Sequence, residues 1–121
     1  ADTYFFVNDT TLNLTGNGTL VLEPGDNGQR YRISSPNAAY VLVNDTYHTI
    51  SGAGYVGINN LGLTNKGTIT ADRTAGPLII APSKTSTNTG VMQATSGAGL
   101  QLGGGVNFQQ LDVAGHFAVV G

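Results

Sequence analysis

Apolar residues in this chain come in short clusters of three to five, each closed off by Gly, Asn, Thr or Pro. Thr11-Leu12-Asn13-Leu14-Thr15 alternates polar and apolar, the period of a strand with one buried face. Tyr4-Phe5-Phe6-Val7, Thr19-Leu20-Val21-Leu22, Tyr31-Arg32-Ile33 and Tyr40-Val41-Leu42-Val43 read as further short strands. The turn formers of Gly16-Asn17-Gly18, Glu23-Pro24-Gly25-Asp26-Asn27-Gly28 and Ser34-Ser35-Pro36-Asn37 separate them. Helix is excluded: Gly accounts for 18 of 121 residues, β-branched residues fill the apolar runs, and no window of 11 residues shows a 3.6-residue period free of Gly.

One phrase is repeated. Asn65-Lys66-Gly67-Thr68-Ile69-Thr70-Ala71 returns 23 residues on (88 − 65) as Asn88-Thr89-Gly90-Val91-Met92-Gln93-Ala94. The apolar runs that follow, Leu78-Ile79-Ile80 and Leu100-Gln101-Leu102, lie 22 apart (100 − 78). Landmarks of this kind extend into three ladders: Thr19, Tyr40 and Leu61 at steps of 21; Ile50, Ile69, Met92 and Val113 at 19, 23 and 21; Tyr55, Leu78, Leu100 and Ala118 at 23, 22 and 18. Three interleaved ladders with a period near 21 predict an all-β parallel β-helix (a β-solenoid) of about five coils, with three short strands per coil. At about 4.8 Å per coil the column stands about 24 Å tall.

A single coil cannot bury its inward side chains, so like residues must stack on like residues in the neighbouring coils. Asn65 and Asn88 are the predicted stacked corner, with Gly67 and Gly90 beside them to supply the left-handed backbone of a tight bend. A Gly- and Thr-rich β-sandwich spaces short strands comparably. It would place antiparallel hairpins where the solenoid sets Ile69 and Met92 side by side.

The phrases Asn65 to Ala71, Leu78-Ile79-Ile80-Ala81-Pro82-Ser83, Asn88 to Ala94 and Gly97-Ala98-Gly99-Leu100-Gln101-Leu102 resemble the repeats of bacterial autotransporter passengers and filamentous-haemagglutinin-like secreted proteins. The likeness spans Thr49 to Leu102. It implies a right-handed parallel β-helix exported to the cell surface, and a role in adhesion or display.

Charge narrows the function classes. Charged residues are 10% of the chain and the net charge is −2. That argues against nucleic acid, which wants clustered Lys and Arg, and against a polybasic membrane-surface binder. No apolar run approaches the roughly 20 residues of a membrane-spanning helix. A polar but uncharged surface of Thr, Asn, Ser, Gln and Gly suits an extracellular or cell-surface β-protein, and Ala1-Asp2-Thr3 suits a mature product cut after a small residue.

Candidate chemistry is sparse, and no catalytic, cofactor-binding or metal residue is assigned. The acids Asp2, Asp9, Glu23, Asp26, Asp45, Asp72 and Asp112 are scattered, and the nearest pairings are Asp45 with His48 and Asp72 with Arg73. Asn44-Asp45-Thr46 and Asn8-Asp9-Thr10 are copies of one turn-forming tripeptide. His48 and His116 are the only imidazoles and there is no Cys, so a transition-metal site lacks ligands. Asp26-Asn27-Gly28 resembles part of a calcium loop without the remaining ligands and reads as a turn. Thr stands two residues after Asn8, Asn13, Asn17 and Asn44, which makes each a possible glycan acceptor.

The ends carry the most suggestive residues. The chain reads as one solenoid domain over 1–121, with 1–15 a cap or partner-pairing strand and 107–121 the terminal coil. Tyr4, Phe5, Phe6 and Val7 at one end and Phe117, Val119 and Val120 at the other either close their own coils or pair with a neighbour. The expected function is that of a structural or adhesive extracellular solenoid rather than an enzyme: a subunit of a surface filament or a segment of an adhesin. Its partners would be copies of itself, the rest of a longer surface protein, or host or matrix glycans. The alternative is a secreted carbohydrate-binding or polysaccharide-cleaving β-helix.

Overall fold

The computed structural model describes residues 3–23, 31–58, 60–83, 86–95, 97–102, 111–112 and 116–120. Among them are fifteen strands and no helix. The first coil holds β1 (Thr3–Phe6), β2 (Thr11–Leu14) and β3 (Thr19–Leu22); the second β4 (Tyr31–Ser34), β5 (Val41–Asn44) and β6 (Thr49–Gly52). The third holds β7 (Gly54–Val56), β8 (Gly62–Asn65) and β9 (Thr68–Ala71); the fourth β10 (Leu78–Ile80), β11 (Ser86–Asn88) and β12 (Val91–Thr95). The fifth holds β13 (Leu100–Leu102), β14 (Leu111–Asp112) and β15 (His116–Val120). Every third strand pairs, which makes three five-stranded sheets: β1-β4-β7-β10-β13, β2-β5-β8-β11-β14 and β3-β6-β9-β12-β15. All pairings are parallel, and Ile69 stands beside Met92 in register, so the fold is a parallel β-helix and not a sandwich.

Strand alternation points every second residue inward, and the register stacks those residues. In the third sheet Leu20, Ile50, Ile69, Met92 and Phe117 occupy one row. Ile50, Ile69 and Met92 are fully buried. In the first sheet Phe5, Ile33, Val56, Ile80 and Leu102 form the corresponding row. Full burial of such a side chain contributes about 1.5–3 kcal/mol, so the rows carry the fold.

The sequence ladders are right in the middle of the chain and wrong at their ends. Thr19 does not share a row with Tyr40 and Leu61; it pairs with Thr49 in the third sheet, 30 residues on (49 − 19). The extra length lies between β3 and β4 and lengthens every first-coil interval at once. Tyr55 pairs with Ile79, one residue past Leu78, and Ala118 pairs with Gln93 in the third sheet instead of continuing the row of Leu100. Phe117 takes the place beside Met92 that the ladder gave to Val113, which lies outside the described residues.

Corner lengths differ from coil to coil, which is why a fixed period fails. Between β6 and β7 the corner is Ala53 alone, flanked by Gly52 (φ 117°) and Gly54 (φ 134°). A Cβ on either would overlap the carbonyl of Leu22 or Tyr31 in the coil before. Only glycine meets both demands.

Candidate functional site: an open first coil and an asparagine column

The end of the second sheet's strands carries a column of buried amides. Asn44, Asn65 and Asn88 stand in register and are all fully buried. Asn65 Nδ2 donates to the carbonyls of Gly67 and Val91, at 3.3 and 3.1 Å. A carbonyl can only accept, so the amide nitrogen must face that way and the orientation of the side chain is fixed. The same nitrogen donates to Asn88 Oδ1 at 2.8 Å, and Asn44 Nδ2 donates to Asn65 Oδ1 at 2.8 Å. At the base, His48 Nδ1 lies 2.7 Å from Asn44 Oδ1 and must carry the proton of that bond. The column is thus directional, from the imidazole through Asn44 and Asn65 to Asn88. Asn88 Nδ2 has no partner in the structure described.

The backbone around the column is equally tied. Lys66 and Gly67 both donate to the Asn44 carbonyl, and Thr89 and Gly90 repeat the pattern on Asn65. Gly67 and Gly90 do not have a positive φ, which corrects the expectation of a left-handed bend. Their reason is proximity: a Cβ on Gly90 would overlap the Gly67 carbonyl, and one on Gly67 would overlap the carbonyls of Asp45 and His48.

Asn44 was legible in sequence only as a turn or a glycan acceptor. Its 21-residue step to Asn65 was a usable signal. A longer corner, Asp45-Thr46-Tyr47-His48, hid it by replacing the x-Gly that follows the other two. Burial closes Asn44 to glycosylation, whereas Asn8, Asn13 and Asn17 are exposed. The two tripeptide turns are alike in detail: Asp9 Oδ1 accepts from Thr10 N at 2.7 Å, and Asp45 Oδ1 from Thr46 N at 2.8 Å.

The other pairings singled out by sequence serve the scaffold. The His48 imidazole bonds the Asn44 side chain, and it is the His48 backbone N–H that reaches Asp45, at its carbonyl. Arg73 contacts Asp72 at 2.9 Å and reaches across the single-residue Ala53 corner to Glu23 of the first coil at 3.0 Å. The hydrogen bond to Glu23, then the charge of Asp72, raises the Arg73 pKa above its ordinary value, so the guanidinium stays charged. Among the described residues no group of three His, Cys, Asp or Glu converges on a metal position, and no helix is long and apolar enough to cross a membrane. Asp26-Asn27-Gly28 and the His116 side chain lie outside what is described.

The first coil, like the fifth, ends the stack. β1, β2 and β3 are each the last strand of a sheet, so among the described residues no strand pairs with their outer edges. Val7 is fully buried and Phe5 packs against the core, whereas Tyr4 and Phe6 project outward, 45% and 57% exposed, with their rings 5.4 Å apart and nearly parallel. The four residues predicted to act together at this end are therefore split between two faces. Leu12, Leu14 and Leu20 point inward but are only half-buried. At the other end β15 pairs with β12 in register, while the side chains of Phe117, Val119 and Val120 are outside the described set.

No protein family, curated protein or solved structure matches this chain.

Proposed function

We propose that this chain is an extracellular or cell-surface structural solenoid, a filament subunit or a segment of an adhesin, whose first coil receives a further coil of the same kind. That coil comes from another copy or from the rest of a longer surface protein. The observation that carries the reading is the contrast between Leu12 and Leu20 and the residues beside them: Leu42 and Ile50 are fully buried, and Leu12 and Leu20 are not.

Two further features support it. Residues 3–22 contain no Lys, Arg or Pro, the residues with which sheet proteins blunt exposed edges. A parallel edge also accepts a parallel strand without changing register, so an added coil would extend all three sheets at once. A contact between unlike ends repeats without closing and builds a filament.

Sedimentation across a concentration series, with electron microscopy of the same samples, tests this. The account expects end-to-end particles that lengthen with concentration. It expects Leu12→Lys and Leu20→Lys, which place charge on the open coil, to leave folded single units. Wild-type protein that stays a single unit at high concentration refutes stacking between copies.

A further inference from the structure

We propose that the first coil seats the fifth coil of a second copy of this chain in register, with β13 against β1, β14 against β2 and β15 against β3. This rests on the stacking reading above and names the partner, the end it offers and the rows that meet.

The first coil limits what can cover it. Its outer edges carry backbone N–H and C=O groups that another strand can pair, whereas a helix satisfies its own groups internally. Inward it presents Phe5, Leu12, Leu14, Leu20 and Leu22. The amide column stops one coil short, because Leu14 stands in the row of Asn44. The occupant must therefore be a β coil whose inward residues are apolar.

Register shows that the fifth coil meets this demand. Phe5, Ile33, Val56, Ile80 and Leu102 share one row, so a second copy's Leu102 continues it next to Phe5. The row that begins at Leu20 ends at Phe117. In the second sheet Leu12, Leu42 and Leu63 share a row, on which Leu111 falls after Ser86. In all three sheets, then, an apolar residue of the fifth coil aligns with an apolar residue of the first.

A cleft at the open end decides the polarity. It holds about 240 Å³ and is lined by Phe5, Leu20, Leu22 and Tyr31 among others. Two first coils set face to face would enclose this hollow twice over, against the close packing of an interior. They would also meet antiparallel, whereas the described pairings within the chain are all parallel. Head-to-tail contact keeps the strands parallel and sets Leu102 and Phe117 of the second copy at the row positions bordering the cleft.

Cysteine cross-linking reads this register directly, because the chain has no Cys of its own. Thr19 and His116 share one row of the third sheet, and Val21 and Ala118 share another. Head-to-tail stacking brings Thr19 beside His116 of the next copy, and Val21 beside Ala118. Each pair then lies about 4.8 Å apart, within the Cα separation that a disulfide spans. The variants Thr19→Cys, Val21→Cys, His116→Cys and Ala118→Cys are prepared singly, mixed in pairs and oxidised. The matched mixtures are Thr19→Cys with His116→Cys and Val21→Cys with Ala118→Cys. They should give about fivefold more disulfide dimer than the crossed mixtures, whose cysteines stand two residues out of step.

As much dimer from a first-coil variant alone overturns the polarity. Equal or stronger linking in the crossed mixtures overturns the register, and no linking in either matched mixture overturns both. Sedimentation of the reduced variants and the wild type separates this proposal from the stacking reading. Assembly without the matched links removes the register and leaves stacking in place, whereas wild-type protein that never assembles removes both.

Discussion

The first and third coils use the same plan and obtain different results from it. In the third, Leu63 and Ile69 have a coil on each side, and both are sealed from water. In the first, Leu12 and Leu20 point the same way but have a neighbour on one side only, and each stays half-exposed. In a solenoid, burial is a property of the stack rather than of the residue. The difference between these coils is therefore the part of the fold that an added coil would change.

Substitutions along one row test this most strongly. Ile69→Ala should cost about 3–4 kcal/mol, the loss expected when a sealed aliphatic side chain leaves a cavity. Leu20→Ala, in the same row of the open coil, should cost about 1 kcal/mol in dilute protein, because much of its surface already faces water. Denaturant midpoints compare the two, and equal costs would erase the distinction.

The amide column comes next. Asn65→Leu removes an acceptor from Asn44 and a donor from Asn88 while both stay buried, at a cost of about 3 kcal/mol. Leu14, at the base of the same row, needs no amide partner, so Leu14→Ala should cost less. A smaller effect is expected at the corners. Gly90→Ala meets the Gly67 carbonyl and should cost about 2 kcal/mol, whereas Gly76→Ala meets open space and should stay within about 0.5 kcal/mol. Smallest is Arg73→Ala: its bridge from the third coil to Glu23 is partly solvated, and the thermal midpoint should not move measurably.

Much of this architecture could be read from sequence because the inner rows must be apolar at a nearly constant interval. The repeat of Asn-x-Gly placed Asn65 and Asn88 in adjacent coils for the same reason. What could not be read was anything set by a corner. Ala53 turns the chain alone between two glycines, while six residues, Asp72 to Pro77, do so one coil later. A constant period therefore misplaced Thr19 and Ala118. The parity of Tyr4 to Val7 was equally hidden: four apolar residues in a row carry no alternation, and only the burial of Val7 decides which rings face water.

Hydrogen exchange followed by mass spectrometry, at low and high protein concentration, reads both coils in one experiment. The account predicts that peptides covering 11–22 exchange quickly in dilute protein and become protected as concentration rises, while those covering 62–71 stay protected throughout. Equal protection of the two regions in dilute protein, with no dependence on concentration, would contradict it.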